Sequence, residues 1–353
     1  MPLADIRKVH VIAPNFKRRL SGVTSTIIQL LPVQNRQGQL VASLGPGLPG
    51  TLPFIRFRDI LHLWSSPDGR RLRVWHARRN LEMLPAIVLR DVLRMKLRIV
   101  FTSASQRRHT GWTKWLISKM DAVIATSGRT ATYLEVPSTV VMHGIDTERF
   151  SPADDKAAAK RACGLDTGSK IVGCFGRVRH QKGTDLFVDS MIRLLPQRPG
   201  WTAIIAGRAT AKHVPFENEL KGRVRAAGLA ERILFVGEHT NINDWYRALD
   251  LFVAPQRWEG FGLTPLEAMA TAVPVVATDV GAFPELLVTG ENETGEIIPR
   301  GDLDAMAAAA ARFMDNDTRR LAAAGNALSH AARNFSIEGE AQKLGRIYAD
   351  VAR

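Results

Sequence analysis

The segment IVGCFGRVRHQKGTDLF, residues 171–187, decides the fold. Its apolar start predicts a buried strand over 170–175, and a helix over 184–195 follows with Thr184 as its N-cap. The glycine-containing basic loop between them leads into a helix N-terminus, where free backbone N–H groups favour a phosphate. Arg177 and Lys182 add positive charges that suit a diphosphate. A basic surface loop is the alternative, and the stretch is neither GxGxxG nor a Walker A loop.

The same alternation of short apolar runs with helical patterns extends in both directions and predicts an α/β fold with parallel sheets. Ligands of such sheets bind at the carboxyl ends of the strands. Residues 36–72, rich in Gly, Pro and Arg, receive no assignment. The other predicted strands are 9–13, 73–76, 98–102, 122–126, 139–142, 201–206, 233–236, 251–254 and 273–277, and the other helices are 23–31, 216–227, 242–249, 265–272, 303–314 and 336–352.

Length and composition indicate two globular domains in a chain of 353 residues with 45% hydrophobic and 23% charged residues. We place the boundary in the polar stretch 151–165, which gives a first domain of 1–165, a second of 166–335 and a C-terminal helix of 336–353. The chain has only two cysteines and no CxxC pattern, which argues against a disulfide framework. It has no apolar run of about 18 residues, which argues against a membrane-spanning helix. The N-terminus lacks a signal-peptide core, so we expect a cytoplasmic protein.

The positive charge of the chain lies in its first half. Residues 1–165 contain 26 Lys and Arg against 11 Asp and Glu, a net charge of +15, whereas residues 166–353 contain 22 against 23, a net charge of −1. Such an asymmetry predicts an anionic partner for the first domain: nucleic acid, an anionic membrane surface or a phosphorylated substrate. A solvated basic surface is the alternative.

A second informative segment is RWEGFGLTPLEAMATAVPVVAT, residues 257–278. Glu259 lies in a loop after the strand 251–254, where a parallel sheet binds ligands. Glu267 follows Thr264 and Pro265 at the spacing of a capping box, so it has a structural alternative as a helix cap. A hydrolase-type carboxylate pair is a further alternative that spacing in sequence does not decide.

Two other patterns have mainly structural interpretations. Asp302-Leu-Asp304 and Asp315-Asn-Asp317 are predicted to be helix-end residues rather than metal ligands. Trp112 and Trp115, three residues apart, form either an exposed patch facing a membrane or, more commonly for such a stripe, a face packed on the core.

The motifs together resemble family 4 of the retaining glycosyltransferases. The resemblance rests on GRVRHQKG, on the Glu-x7-Glu pattern of EGFGLTPLEAMA, and on VMHGIDTERFSP, in which His143 stands where the family has Asn. It implies a GT-B fold: two Rossmann-like domains with parallel sheets facing across a cleft, and a C-terminal helix returning to the first domain. It also implies a nucleotide-sugar donor, no other cofactor and no obligatory metal.

The resemblance assigns roles to residues of the second half. Arg177 and Lys182 are expected to hold the donor diphosphate, Glu267 the ribose hydroxyls and Glu259 the donor sugar. Arg177, Lys182 and Glu259 form the expected catalytic set. The expected donor contacts also include the glycine before the basic loop, a glycine of the first domain and the turn between the two glutamates: Gly176, Gly22, Gly260, Phe261, Gly262 and Leu263.

In the first domain, VWHARRN resembles the segment that carries the family's histidine at a strand end. The second histidine of the family, in a T-x-H setting, is absent, since the sequence there is FTSAS. The expected acceptor contacts are His76, Arg78, Ser103 and Arg107, with Ser105 as an alternative to Ser103.

More closely, the run from VWHARRNLEM to IVFTSASQRRHTGWTKWLI resembles mannosyltransferases of lipopolysaccharide core assembly in alpha-proteobacteria. That resemblance implies GDP-mannose as donor, a Kdo residue on lipid A as anionic glycolipid acceptor, and a peripheral location at an anionic membrane surface, the inner face of the cytoplasmic membrane.

Alternative functions stay open. One is a family 4 enzyme that uses a UDP-sugar and another anionic glycolipid or polysaccharide acceptor. Another is a GT-B phosphorylase or epimerase. A basic nucleic-acid-binding protein is the alternative of another class, although no helix-turn-helix, RNP or zinc-finger pattern occurs, and the oligomeric state has no sequence signal.

Overall fold

A computed structural model describes residues 2–18 and 22–353, apart from the side chain of Val23. The chain divides into two compact units: unit 1 comprises residues 1–144 and 337–353, and unit 2 comprises residues 145–336. Each unit is built around its own parallel sheet.

Unit 1 contains a seven-stranded sheet in the order β3-β2-β1-β4-β5-β6-β7, with every pairing parallel. The strands are β1 (Val11–Pro14), β2 (Val41–Leu44), β3 (Phe54–Ile55), β4 (Arg73–Ala77), β5 (Leu97–Ser103), β6 (Ala122–Ala125) and β7 (Thr139–Val140). The helices in this stretch are α1 (Gly22–Arg36), α2 (Asn80–Ile87), α3 (Gly111–Ser118) and α4 (Gly128–Ala131), with a 3-10 helix at Phe57–Trp64 and a π-helical turn at Val88–Val92.

Unit 2 contains a six-stranded parallel sheet in the order β10-β9-β8-β11-β12-β13. The strands are β8 (Lys170–Phe175), β9 (Trp201–Ala206), β10 (Ile233–Gly237), β11 (Leu251–Ala254), β12 (Val275–Thr278) and β13 (Gly295–Ile298). The helices are α5 (Lys156–Ala162), α6 (Thr184–Leu194), α7 (Val214–Ala226), α8 (Ile242–Arg247), α9 (Thr264–Ala270), α10 (Phe283–Leu286), α11 (Leu303–Met314) and α12 (Asp317–Asn334), and 3-10 turns lie at His180–Lys182, Leu195–Gln197 and Ala211–His213.

The last helix, α13 (Ile337–Val351), belongs to unit 1. Its buried side chains, among them Leu344 and Tyr348, share one apolar cluster with Ile27 and Leu31 of α1. Burying these apolar side chains is the main force that holds α13 to unit 1. The predicted return of the C-terminal helix to the first domain is confirmed.

The structure differs from the sequence-based boundary between the domains. The first unit ends at Gly144 rather than at residue 165, and the segment 151–162 lies with unit 2. Lys156 and Lys160 of α5 place their Nζ atoms 3.2 and 3.0 Å from the Asp250 carboxylate. Arg247 donates to the Ser151 carbonyl at 2.9 Å. These polar contacts tie the segment to the α8–β11 connection.

Both sheets reverse their strand order at one point, between β1 and β4 in unit 1 and between β8 and β11 in unit 2. In open parallel sheets, the loops at the carboxyl ends of the strands on either side of such a point form the ligand-binding crevice. The structure therefore directs attention to the loops that follow these strands and their immediate neighbours in each unit.

The helix-end interpretation of the aspartates agrees with the structure. The Asp302 carboxylate accepts from the Ala305 N–H at 2.8 Å and caps α11, while the Asn316 side chain caps α12. Within residues 2–18 and 22–353, no group of three or more His, Cys, Asp or Glu side chains is arranged to hold a metal ion. None of the helices that the structure describes has the length and apolar character needed to span a membrane.

Candidate active site

In unit 2, the loops after β8 and β11 lie side by side because these strands are neighbours in the sheet. Arg257 joins them: its backbone N–H donates to the Gln181 carbonyl at 3.0 Å, and its guanidinium donates to the His180 carbonyl at 2.7 Å. The same guanidinium forms a two-pronged ion pair with Asp185, both contacts at 2.7 Å. Such a bidentate pair restricts both partners to one geometry, so the two loops are fixed against each other.

Gly183 makes the close approach of the two loops possible. Its φ of +70° lies in the left-handed region, and a Cβ there would be 1.8 Å from the Pro255 carbonyl oxygen. Only glycine fits such a position. Gly183 also occupies the N-cap of α6, and Thr184, the predicted cap, is instead the first helical residue and is buried. The prediction of Thr184 as the cap was wrong because this left-handed turn requires glycine at the cap.

This arrangement brings Lys182 and Glu259 together as an ion pair. Their side chains are 21% and 19% exposed, so the pair is partly shielded from water. Arg177, in contrast, is exposed and has no ion-pair partner among the described residues. Both residues are predicted diphosphate ligands. Within the described part of the chain, Arg177 has an unpaired positive charge, whereas the charge of Lys182 is neutralised by Glu259, the predicted sugar contact.

The turn that carries Glu259 is tightly packed. Gly260 donates its N–H to Glu259 Oε1 at 3.1 Å. Gly262 has a φ of +86°, and a Cβ there would lie 2.3 Å from the Phe283 ring and 2.8 Å from Glu259 Cγ. Phe261 is buried, and its carbonyl accepts from the Ala282 N–H at 3.1 Å. A larger residue at Gly262 would displace Glu259, which explains the glycine in this motif.

Glu267 lies on α9 and does not cap it. The N-cap is Leu263, with no side-chain cap bond, and Thr264 is the first helical residue. The capping-box alternative for Glu267 was wrong, because its carboxylate accepts a hydrogen bond from the Tyr246 hydroxyl at 2.8 Å instead. Burial raises the pKa of Glu267, and burial together with the nearby carboxylate raises the pKa of Tyr246 well above its usual value. Tyr246 thus holds the Glu267 carboxylate in one orientation.

Two polar side chains in this region, Tyr246 and Gln256, have no counterpart in the sequence analysis, and a third, Thr264, entered it only as part of the capping-box pattern. Gln256 is 1% exposed, and its Oε1 finds no hydrogen-bond partner in the described part of the chain. The same holds for Thr264 Oγ1. Buried polar atoms are normally paired, so these two oxygens are candidates for ligand contacts. The position of Gln256 directly after β11 was the signal that could have identified it.

Unit 1 has a cavity of about 310 Å³ at the carboxyl ends of β4 and β5. It brings together three of the four predicted acceptor residues, Arg78, Ser103 and Arg107. Lys17, from the loop after β1, and Arg79 add two further cations to its wall. No carboxylate is among the described residues that line it, so the cavity is strongly positive.

The cations of this cavity differ in how firmly they are held. Arg79 donates to the buried Glu82 carboxylate at 2.8 Å and to Asn15 Oδ1 at 2.9 Å, which fixes its guanidinium. Arg78 donates to the His76 carbonyl at 3.2 Å, and burial lowers its pKa. Arg107 is exposed at the rim without an ion-pair partner in the described residues. A fixed inner cation together with an exposed outer one suits the binding of an anionic group.

The fourth predicted acceptor residue, His76, is not among the residues that line this cavity. It is 1% exposed, and hydrogen bonds join its Nδ1 to the Tyr348 hydroxyl at 2.6 Å and its Nε2 to the Thr102 hydroxyl at 2.7 Å. Burial, more than the nearby Arg78 and His143, holds the pKa of His76 well below its usual value of 6.5. His76 therefore connects β4, β5 and α13 as a neutral side chain.

Gly22 begins α1, and a Cβ there would meet no atom within 4 Å. The residues before it, 19–21, lie outside the described residues. His143, the residue that replaces the family's Asn, places its Nδ1 2.9 Å from Glu340 of α13, and the same carboxylate accepts from the Gly144 N–H at 2.8 Å. The roles of Gly22, His76 and the other assigned residues in binding stay predictions.

The charge asymmetry follows the structural division. Unit 1 contains 25 Lys and Arg against 10 Asp and Glu, a net charge of +15, and unit 2 contains 23 against 24, a net charge of −1. Moving the boundary from residue 165 to residue 144 leaves both values unchanged. The excess charge is therefore a property of the unit that carries the cationic cavity.

Comparison with known proteins identifies the family. Residues 169–316 match the family described as Glycosyl transferases group 1. The lipopolysaccharide core biosynthesis mannosyltransferase LpsB of Rhizobium meliloti (strain 1021) is 71% identical over 351 residues, which cover 99% of this chain and 100% of that protein. The corresponding protein LpcC of Rhizobium leguminosarum bv. viciae is 56% identical over 346 residues, covering 98% and 97%.

The crystal structure of Anabaena Alr3699/HepE in complex with UDP aligns with a TM-score of 0.83, covering 97% of this chain and 100% of that one at 18% identity. This likeness concerns the fold and confirms the GT-B class with two Rossmann-like domains. Family membership favours an enzyme over a nucleic-acid-binding protein. Since it is 71% identical over nearly its whole length to one of them, the chain belongs to the glycosyltransferase family that contains these two lipopolysaccharide core mannosyltransferases.

Proposed function

We propose that the enzyme transfers mannose from GDP-mannose to the Kdo residue of a lipid A-linked inner core, at the inner face of the cytoplasmic membrane. The observation that carries this proposal is the near-complete alignment with two proteins named as lipopolysaccharide core mannosyltransferases. The geometry of each unit supports it independently, as a donor region in unit 2 and an anion-binding cavity in unit 1.

In the proposed donor site, the diphosphate lies against Arg177, Lys182 and the N-terminus of α6. Negative charge builds on the diphosphate as its bond to the sugar breaks, and fixed cations with helix-end N–H groups stabilise that charge. Glu259 contacts the sugar, and Glu267, oriented by Tyr246, accepts from the ribose hydroxyls. The tight packing around Gly183 and Gly262 supports this assignment, because preorganised groups stabilise a transition state without rearranging.

In the proposed acceptor site, the cationic cavity of unit 1 takes the carboxylate or phosphate groups of the acceptor. Arginine suits both, since its planar guanidinium donates two parallel hydrogen bonds to either anion. Ser103 and Arg107 at the carboxyl end of β5 contact the acceptor beside Arg78. The acceptor hydroxyl then attacks the sugar carbon from the face that the diphosphate leaves and gives its proton to the departing phosphate oxygen, so the configuration at that carbon is retained.

A transfer assay with the purified full-length protein tests the proposal. GDP-mannose, UDP-glucose and UDP-galactose are each incubated with a Kdo-lipid A acceptor, and the product mass is measured. We expect a single hexose to be added from GDP-mannose only. Transfer from a UDP-sugar instead of GDP-mannose would support the alternative donor and refute the proposed one.

Thermal shift separates donor binding from catalysis. GDP should raise the melting temperature by linkage, whereas ADP and UDP should do so less. The Arg177→Gln/Lys182→Gln variant should lose the GDP shift and lower transfer by about 10²-fold or more. A melting temperature that no nucleotide changes would contradict a nucleotide-sugar donor.

A further inference from the structure

Unit 1 exposes an apolar stripe along α2 and the π-helical turn that follows it. Leu81, Leu84, Val88 and Val92 are 58%, 40%, 41% and 69% exposed. Their spacing of three and four residues places the successive side chains near one another on the same face of the helical segment. A solvent-facing helical face is normally polar, so an apolar one indicates a surface that something covers.

The neighbouring helix α3 also exposes large apolar side chains. Trp112 and Trp115 are 53% and 43% exposed, and their rings stack with centroids 5.1 Å apart and planes 17° from parallel. The sequence left two alternatives for this pair, and the structure shows the exposed one. α3 is joined to α2 by a hydrogen bond from Asn80 Nδ2 to Thr113 Oγ1 at 2.7 Å. We call these exposed apolar side chains the docking face: Leu81, Leu84, Val88, Val92, Trp112 and Trp115.

Positive charges outnumber negative ones around the docking face. Residues 78–119 contain ten Lys and Arg but only two acidic residues, Glu82 and Asp91. Glu82 is buried against Arg79, Asp91 pairs with Arg90 at 2.6 Å, and Asp121 just beyond this stretch pairs with both Arg90 and Arg98. Six cations of the stretch have no ion-pair partner among the described residues: Arg78, Arg94, Lys96, Arg107, Arg108 and Lys119. On α3 itself, Lys114 pairs with the exposed Glu135, and Lys119 places its Nζ 6.0 Å from the Trp115 ring centroid.

The docking face borders the cationic cavity. Leu81 belongs to both, and Thr113, between the two tryptophans in sequence, also lines the cavity. An apolar surface edged by cations has the composition of a protein face that enters the interface of an anionic bilayer, where tryptophan is preferred and each cation meets lipid phosphates. A second copy of this chain fits less well, because its unit 1 carries the same net charge of +15.

We propose that the docking face lies in the headgroup region of an anionic bilayer and so holds the mouth of the cationic cavity at the level of the lipid headgroups. The apolar side chains then enter the upper acyl region, and the flanking cations contact lipid phosphates. The identity of the ligand that the cavity binds at the membrane rests on the proposed function, whereas the binding of the docking face to the bilayer does not. The occupant of the face is the bilayer surface, recognised by apolar insertion together with charge.

Sedimentation with vesicles tests the proposal without any substrate. Full-length protein is mixed with vesicles of phosphatidylcholine containing phosphatidylglycerol, or of phosphatidylcholine alone. We expect wild-type protein to bind the anionic vesicles, with a blue-shifted tryptophan emission. Trp112→Ser/Trp115→Ser and Leu84→Ser/Val88→Ser should each lower the partition coefficient by about tenfold or more, because each removes two inserting side chains.

The matched control is Leu321→Ser on α12 of unit 2, which removes another exposed leucine, 67% exposed, and should leave vesicle binding unchanged. Circular dichroism confirms that the variants fold, as expected for exposed positions. Unchanged vesicle binding by both docking-face variants would overturn the proposal. A second result would also overturn it: the wild type is a dimer, and the Trp112→Ser/Trp115→Ser variant is a monomer that still binds vesicles. The docking face would then be covered by a second copy of the chain.

Activity assays keep this inference separate from the proposed function. On a deacylated, water-soluble Kdo acceptor, the docking-face variants should retain wild-type kcat/KM, while on acceptor embedded in anionic vesicles they should lose about tenfold. A wild-type enzyme that fails with the soluble acceptor but binds vesicles through the docking face would contradict the proposed acceptor only. An equal loss by the variants on both acceptors would contradict the docking role.

Discussion

Neutralising the two members of the Lys182–Glu259 ion pair should change nucleotide affinity in opposite directions. In the free enzyme, Glu259 already neutralises Lys182. Lys182→Gln removes a cation that the diphosphate needs, so GDP should bind more weakly. Glu259→Gln removes the competing carboxylate and leaves Lys182 available, so GDP should bind more tightly although sugar transfer falls.

The magnitudes follow from the exposure of the pair. Two unit charges about 4 Å apart attract by about 4 kcal/mol at an effective dielectric constant of about 20. Both side chains keep roughly a fifth of their surface in contact with solvent, so screening and desolvation reduce the net value to about 1–2 kcal/mol. Glu259→Gln should therefore tighten GDP binding by about five- to thirtyfold. Lys182→Gln removes a charged hydrogen bond worth about 1.5–3 kcal/mol and should weaken binding by about tenfold or more.

Calorimetric titration with GDP measures both effects, and a transfer assay with GDP-mannose measures the loss of turnover. Lys170→Gln is the matched control. Lys170 begins β8, so it lies at the opposite end of this strand from the loop 176–183, and it pairs with Asp317 at 2.7 Å. It should leave GDP affinity unchanged. The reasoning is refuted if Glu259→Gln weakens GDP as much as Lys182→Gln does, since the pair would then only maintain the loop structure.

Three further changes test other contacts. Tyr246→Phe removes the hydroxyl that orients Glu267 and should weaken GDP binding by about tenfold while leaving pyrophosphate binding unchanged; equal losses for both ligands would contradict a ribose contact. Arg107→Gln should raise KM for an anionic soluble acceptor severalfold without changing GDP affinity. An unchanged KM would show that Arg107, at the rim of the cavity, does not contact the acceptor. Because the pKa of His76 is depressed in the folded protein, the unfolded chain takes up a proton first as the pH falls below 6.5, and the free energy of unfolding decreases. His76→Gln has no group that titrates here, so its stability should not fall in this way. We expect the wild type to melt at a higher temperature than His76→Gln at pH 7.5, and this difference in melting temperature should become smaller at pH 5.5. A difference that stays constant between the two pH values would contradict a depressed pKa for His76.

The sequence predicted the sheets best where apolar runs are long and clearly bounded. β8, β9 and β11 begin and end at the predicted residues, since each is a buried apolar run of four to six residues next to a turn. β3 was missed because it has only two residues, and its pairing comes from β2 and from the N-terminal segment, where Ala4 N–H donates to the Phe54 carbonyl at 2.9 Å. Tertiary pairing of this kind leaves no local pattern.

For the candidate site, motifs identified residues but not their contacts. Lys182 and Glu259 are 77 positions apart, and their pairing depends on β8 and β11 being neighbours and on Gly183 admitting Pro255. Tyr246 lies in a short helix without any motif, so its contact with Glu267 had no sequence signal. The division at Gly144 was similarly hidden, because the polar segment after it is bound to unit 2 by charge pairs rather than by apolar periodicity.

The two units handle positive charge differently, and this difference supports separate roles. In unit 2, cations and carboxylates are nearly equal in number, and even Lys182 has a partner within the chain. In unit 1, 15 positive charges have no counterpart in the same unit, and the cations of its cavity are mostly arginines, which keep their charge at every physiological pH. An excess that the unit cannot neutralise itself is suited to an anion from outside. The pH dependence of acceptor binding should then follow the ionisation of the acceptor rather than that of the protein.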